Sequence, residues 1–143
     1  MNIHECLENG YLKKVTPDKE LVQKELSEAS HDLESAKKAF SDHDYKWCIV
    51  QSYYAMFHSA KAVLFTLGYS EKRHIAIVIV LEDLSKNGKL ESTFITHLKA
   101  AMSAREDADY HYSYSKETAE HEIETAEEFV NRMEILTSRL CKK

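Results

Sequence analysis

Only three glycines and one proline punctuate 143 residues, and no other feature restricts the fold as much. Sheet proteins place those residues at turns that need a positive or fixed φ, and ordinary chains carry them at about 7% and 5%. An all-β fold is excluded. The chain has the length of a single domain. With 43% hydrophobic and 30% charged residues, it is too apolar to remain disordered.

The apolar residues recur with a helical period. Val22, Leu26, Ala29, Leu33, Ala36 and Phe40 form one stripe. Thr16-Pro17-Asp18 predicts the start of that helix, with a side-chain oxygen as cap and proline at the first helical position; Ser41 to Asp44 predict its end. From Tyr45 to Leu67 two seams run side by side, Ile49/Tyr53/Met56/Ala60/Val63/Leu67 and Val50/Tyr54/Phe57/Leu64. So wide an apolar face predicts the central, most buried helix, closed by Gly68.

The run Ile75 to Leu81 has no period of its own and is rich in β-branched residues. It reads as helix, because a lone strand would have no partner and the segment continues to a stop at Asn87-Gly88. A fourth long helix spans about Leu90 to Asp109, with Arg105 the one ion in a stripe of Phe94, Leu98, Ala101 and Ala108. The last begins near Ser115 and shows an acidic outer face of Glu117, Glu120, Glu122, Glu124, Glu127 and Glu128. Residues 1–15 read as a short, weakly held segment. The expected fold is all-α, an up-and-down bundle of about five helices in a single domain over 1–143 with its core at about 18–140.

A net charge of −5 argues against coating nucleic acid with bulk positive charge, so any such contact must be local. Cys6, Cys48 and Cys141 show neither a disulfide nor a zinc spacing. With no signal-peptide pattern and no apolar run near the length of a bilayer span, a cytoplasmic protein without a membrane partner is expected. Glu28 and His31 form a single Glu-x-x-His pair where a di-metal bundle needs two, and nucleotide-binding glycine motifs are absent. Neither metal nor cofactor is expected.

The central helix reads Ser52-Tyr53-Tyr54-Ala55-Met56-Phe57-His58-Ser59-Ala60-Lys61-Ala62, followed after a glycine by His74. Further on stand Arg105-Glu106-Asp107-Ala108-Asp109-Tyr110-His111, Glu117-Thr118-Ala119 and Ala126-Glu127-Glu128-Phe129-Val130. In this order and spacing, over roughly residues 20–140, the chain resembles the small prokaryotic HEPN-domain proteins. The resemblance implies a helical bundle that forms homodimers, is often encoded beside a minimal nucleotidyltransferase, and in many members cleaves RNA without metal. The family signature, an arginine followed after four to six residues by a histidine, falls on Arg105 and His111. In toxin members a tyrosine two places past the histidine is modified by the partner; here Ser113 holds that place, between Tyr112 and Tyr114.

The chemistry suits those residue types. Metal-free RNA cleavage needs a base for the 2′-hydroxyl, an acid for the leaving 5′-oxygen, and a cation where the phosphorane gathers charge. Histidine titrates in the right range, and arginine offers a planar fork that matches phosphate. Six residues along a regular helix leave His111 about 120° round and about 9 Å along from Arg105. Either the helix ends near Asp109 and His111 folds back, or a second subunit completes the pair. Gln51, Ser52, Tyr53, Tyr54, Asp109, Tyr110, Tyr112 and Tyr114 are the candidate substrate-binding residues around them.

Other readings of the same residues stand alongside. Arg105 also fits a structural ion pair with Glu106, Asp107 or Asp109. Tyr53 and Tyr54 fit core and dimer-seam aromatics, His58 a hydrogen-bonded packing histidine, and His74 a capping or loop residue. The alternative function is a non-catalytic, nucleotide-binding or partner subunit of a minimal nucleotidyltransferase. In that reading the acidic last helix docks on a basic surface.

Overall fold

The computed structural model describes residues 1–141. Its centre is helix α3, Tyr45–Leu67, whose buried residues fall on several sides and include Cys48, Ile49, Tyr53, Met56, Ala60 and Val63. The Asp44 carboxylate caps it by accepting the Trp47 N–H at 3.1 Å. Gly68 ends it in the left-handed region, at φ +85°, as the sequence predicts.

Helices α2 (Lys19–Ser41) and α6 (Lys116–Leu140) pack along α3, and α5 (Ser92–Tyr110) covers another side. Helix α4 (His74–Lys86) packs on α5 and on a short α1 (Ile3–Glu8). The run that lacks a period is therefore helical, because Ala76 through Leu81 are all buried. A helix hidden nearly all round has no polar face to write a period into its sequence. Phe129 of α6 is completely buried in the main core, and truncating such a residue to alanine costs about 3–5 kcal/mol.

Three expectations are corrected. Helix α2 starts two residues later than predicted, with Asp18 rather than Thr16 as cap; its carboxylate accepts the Glu20 N–H at 2.9 Å. A charged acceptor beside the positive helix end outcompetes the hydroxyl. Second, the N-terminal segment is firmly held. Cys6 and Leu12 are buried, and strand β1 (Leu12–Lys14) pairs antiparallel with β2 (Tyr69–Glu71), Leu12 opposite Glu71 and Lys14 opposite Tyr69. Beyond the ladder, the Tyr11 carbonyl accepts the N–H of Lys72 at 2.8 Å and of Arg73 at 3.3 Å. Strands of three residues are too short for alternation to announce them.

Third, Glu122 does not belong to the acidic outer face. It is 4% exposed, on the stripe of Ala119, Ala126 and Phe129. Its Oε2 has no hydrogen-bond partner among the described residues, and burial pushes its pKa above the usual carboxylate value. No described helix is long and apolar enough to cross a membrane.

Candidate functional site

Arg105 lies one turn before the C-terminal end of α5, on the side that meets α3. Its guanidinium carbon stands 5.8 Å from the Tyr53 ring centroid, 5.7 Å from that of Tyr54 and 5.7 Å from that of Tyr110. Three negative ring faces around one cation partly replace the water it gives up. The side chain keeps 20% of its surface exposed.

The donors of this guanidinium divide among different neighbours. Nη2 donates to the Tyr54 hydroxyl at 3.3 Å; Nε lies 3.5 Å from Asp109 Oδ2, an ion pair with a half-buried acid, but makes no hydrogen bond among the described residues. Nη1 has no protein partner among the described residues. Of the three neighbouring acids only Asp109 shares the arginine's face; Glu106 and Asp107 are exposed, about 100° and 200° round the helix. The carboxylates that would repel a phosphate are therefore mostly turned aside.

His111 is the C-cap of α5 and does not fold back to Arg105 within the chain. Its Nδ1 lies 3.2 Å from Asp107 Oδ1, and the ring is 68% exposed. Asp107 and His111 are one turn apart, and the ring turns to Asp107 rather than back to Arg105, so the intrachain fold-back is corrected. Tyr112 follows at φ +53°, a left-handed conformation unusual for a bulky residue. That bend lets the Ser113 N–H return to the Asp107 carbonyl at 2.9 Å. Lys46 stands 5.6 Å from the Tyr112 ring centroid. Tyr110, Tyr112 and Tyr114 are all exposed, with Trp47 of α3.

The candidates on α3 separate by their angle round the helix. Gln51 and Tyr54 are half-buried and face the Arg105 side with Trp47 at steps of four and three. Ser52 is fully buried, its Oγ unpartnered among the described residues; one residue past Gln51 turns it about 100° into the interior, so it is corrected from substrate contact to core. Tyr53 is 2% exposed. Its hydroxyl lies 2.8 Å from His74 Nδ1, and burial drives its phenol pKa well up.

His74 thus belongs to the Arg105 neighbourhood, a role its sequence position does not show. Its ring packs 4.6 Å from Phe57, centroid to centroid. Desolvation of the ring where it packs on Tyr53 and Phe57 holds its pKa below the ordinary histidine value; Arg105 and Lys61 press in the same direction and Glu71 against it. Nothing in local spacing signals the Tyr53–His74 pair, because the β2 turn joins them across the fold.

His58 lies elsewhere, between two carboxylates of α2. Nδ1 is 2.6 Å from Glu25 Oε1 and Nε2 is 3.7 Å from Asp32 Oδ2. The Glu25 bond raises the His58 pKa against the opposing effect of burial. Burial pushes Glu25 up, but the His58 bond and the Lys61 charge outweigh it, and its carboxyl sits below the ordinary value. No cluster of three or more His, Cys, Asp or Glu side chains suited to a metal occurs among the described residues.

Comparison with known proteins bears on this arrangement. A family model described as HEPN domain matches residues 22–136. A UPF0332 protein of Archaeoglobus fulgidus is 31% identical over 109 residues, covering 75% of this chain and 87% of its own. The Methanocaldococcus jannaschii protein named "Putative toxin MJ0605" is 32% identical over 117 residues, covering 80% of this chain and 87% of its own. A second protein of that organism, with the same style of name, is 25% identical over 114 residues and covers 78% of each chain.

Proposed function

The chain belongs to the HEPN domain family, and from that premise we propose that it binds single-stranded RNA as a homodimer and cleaves it without metal. Arg105 grips the scissile phosphate, and the His111 side chains of the two copies transfer protons. The toxin names of two relatives favour the same reading. The observation that carries it is the state of Arg105: a cation set against three tyrosine rings, partly exposed and with Nη1 unclaimed.

Within one chain the His111 ring turns to Asp107 and not to Arg105, so the reaction needs two copies. The exposed Trp47, Tyr110, Tyr112 and Tyr114 form an apolar surface that a second copy would cover. One imidazole takes the proton of the 2′-hydroxyl as its oxygen attacks phosphorus. The P–O5′ bond breaks, and the second imidazole, protonated, gives its proton to O5′. The products are a 2′,3′-cyclic phosphate and a free 5′-hydroxyl. Arg105 stabilises the added charge on the non-bridging oxygens.

The purified protein should cut single-stranded RNA in EDTA, and His111→Ala should abolish cutting at unchanged helical content. Equal cutting by both would overturn the assignment. A second reading is favoured by the exposed Glu117, Glu120, Glu124, Glu127 and Glu128 on α6: the chain is the docking subunit of a minimal nucleotidyltransferase. That complex would weaken as salt is raised, and the isolated chain would leave RNA intact.

A further inference from the structure

We propose that Arg105 and His74 of the same chain form a two-pronged site for the backbone of a single-stranded nucleic acid. Arg105 binds one phosphate oxygen through Nη1 and His74 a neighbouring one through Nε2–H. The assignment rests on the reading that Arg105 meets phosphate, and it adds a second prong that the arginine-histidine signature does not contain.

Tyr53 joins the two prongs. Arg105 stands against its ring, 5.8 Å from the centroid, while its hydroxyl reaches His74 Nδ1 at 2.8 Å. A buried phenol keeps its proton and must place it on an acceptor. The one acceptor it has among the described residues is Nδ1. Tyr53 therefore donates, which puts the imidazole proton on Nε2. That nitrogen has no protein partner among the described residues, and His74 is an exposed residue.

The ring's orientation is set from two further directions. Phe57 packs against it at 4.6 Å, and the preceding turn is tied down by the Lys72 and Arg73 N–H groups on the Tyr11 carbonyl. The charged groups that act on His74 are Arg105 from α5, Lys61 from α3 and Glu71 from β2, two cations against one acid. Lys61 is itself paired with Glu25 and Glu71, and Arg105 Nε with Asp109, so the prongs offer directed donors to a backbone rather than surplus charge.

The test uses the full chain and a short single-stranded DNA. Without a 2′-hydroxyl this oligonucleotide can bind but not be cleaved, so binding is read by fluorescence anisotropy apart from catalysis. At pH 7, His74→Ala should weaken binding about tenfold, the size of one hydrogen bond to a charged group, and His74→Asn should recover part of the loss by restoring an N–H. Tyr53→Phe should weaken it about threefold, and the double variant should bind no worse than His74→Ala, because Tyr53 acts through the imidazole. The His74→Ala loss should be the same at pH 8 as at pH 7, because the neutral Nε2–H donates and an imidazolium, protonated on Nδ1, could no longer accept from Tyr53.

Absent binding by wild type, unchanged affinity in His74→Ala, or additive losses in the double variant would overturn the site. RNA cutting by wild type together with full DNA binding by His74→Ala would overturn the His74 prong and leave the ribonuclease standing. The expected binding losses without any RNA cutting would do the reverse.

Discussion

Arg105 Nη2 donates to the Tyr54 hydroxyl at 3.3 Å, which fixes the cation of α5 on the surface of α3 and directs its open edge outward. A lysine would keep the charge and lose both the fork and the flat stacking surface. Arg105→Lys should therefore lower affinity for single-stranded RNA about tenfold, while the melting temperature moves by only a few degrees because the site is partly exposed. Anisotropy titrations and thermal melts on the same samples check both halves.

The His58–Glu25 pair predicts a stability maximum on the acid side of neutrality. The raised His58 pKa contributes stability that is complete below the unfolded value of 6.5 and is lost as pH rises through the folded pKa. The lowered Glu25 pKa contributes stability present above its ordinary 4.5 and lost as pH falls through the folded pKa. Both contributions are therefore present together between those two values. His58→Gln should cost about 1–2 kcal/mol in that window and progressively less toward pH 8, as urea melts across the range will show.

Glu122 makes the opposite prediction. A carboxyl whose pKa is raised by burial destabilises the fold as pH climbs above its unfolded value, because the unfolded chain ionises it more readily. Glu122→Met keeps the length, fills the same space and removes the unpartnered oxygen. It should stabilise the protein by roughly 1–3 kcal/mol at pH 8, a gain that shrinks toward zero near pH 4. A constant gain at every pH would show that packing rather than ionisation is responsible.

Gly68 is the backbone position least open to change. It sits at φ +85°, and a Cβ there would stand 3.1 Å from the Val15 carbonyl oxygen. Its own carbonyl accepts the Val15 N–H at 2.9 Å. Gly68→Ala should cost about 1–2 kcal/mol, from the left-handed backbone and the close approach together. Amide exchange should rise first at the β1–β2 ladder beside it.

Much of this architecture is legible in the residues. The two seams and terminal glycine of α3 match its observed span, and Arg105 stands out because an ion interrupts an apolar stripe. Glu122 was legible too: steps of three from Ala119 and four to Ala126 put it inward, but charges at positions 120, 122 and 124 suggest a solvent face. The partnership of Tyr53 with His74 could not be read. It depends on a ladder of three-residue strands contributed by distant parts of the chain, and neither strand has a pattern of its own. The direction of His111 is likewise set where the helix ends, by its contact with Asp107.

The ladder that positions the Lys72–Arg73–His74 turn draws one of its strands from Leu12–Lys14, ahead of the matched stretch that begins at residue 22. The anchor thus comes from a different stretch of the chain than the matched bundle, although Cys6 and Leu12 share its core. A change of register at residues 12–14 would therefore re-aim the Lys72–His74 edge while the Arg105 end of α5 stays as it is.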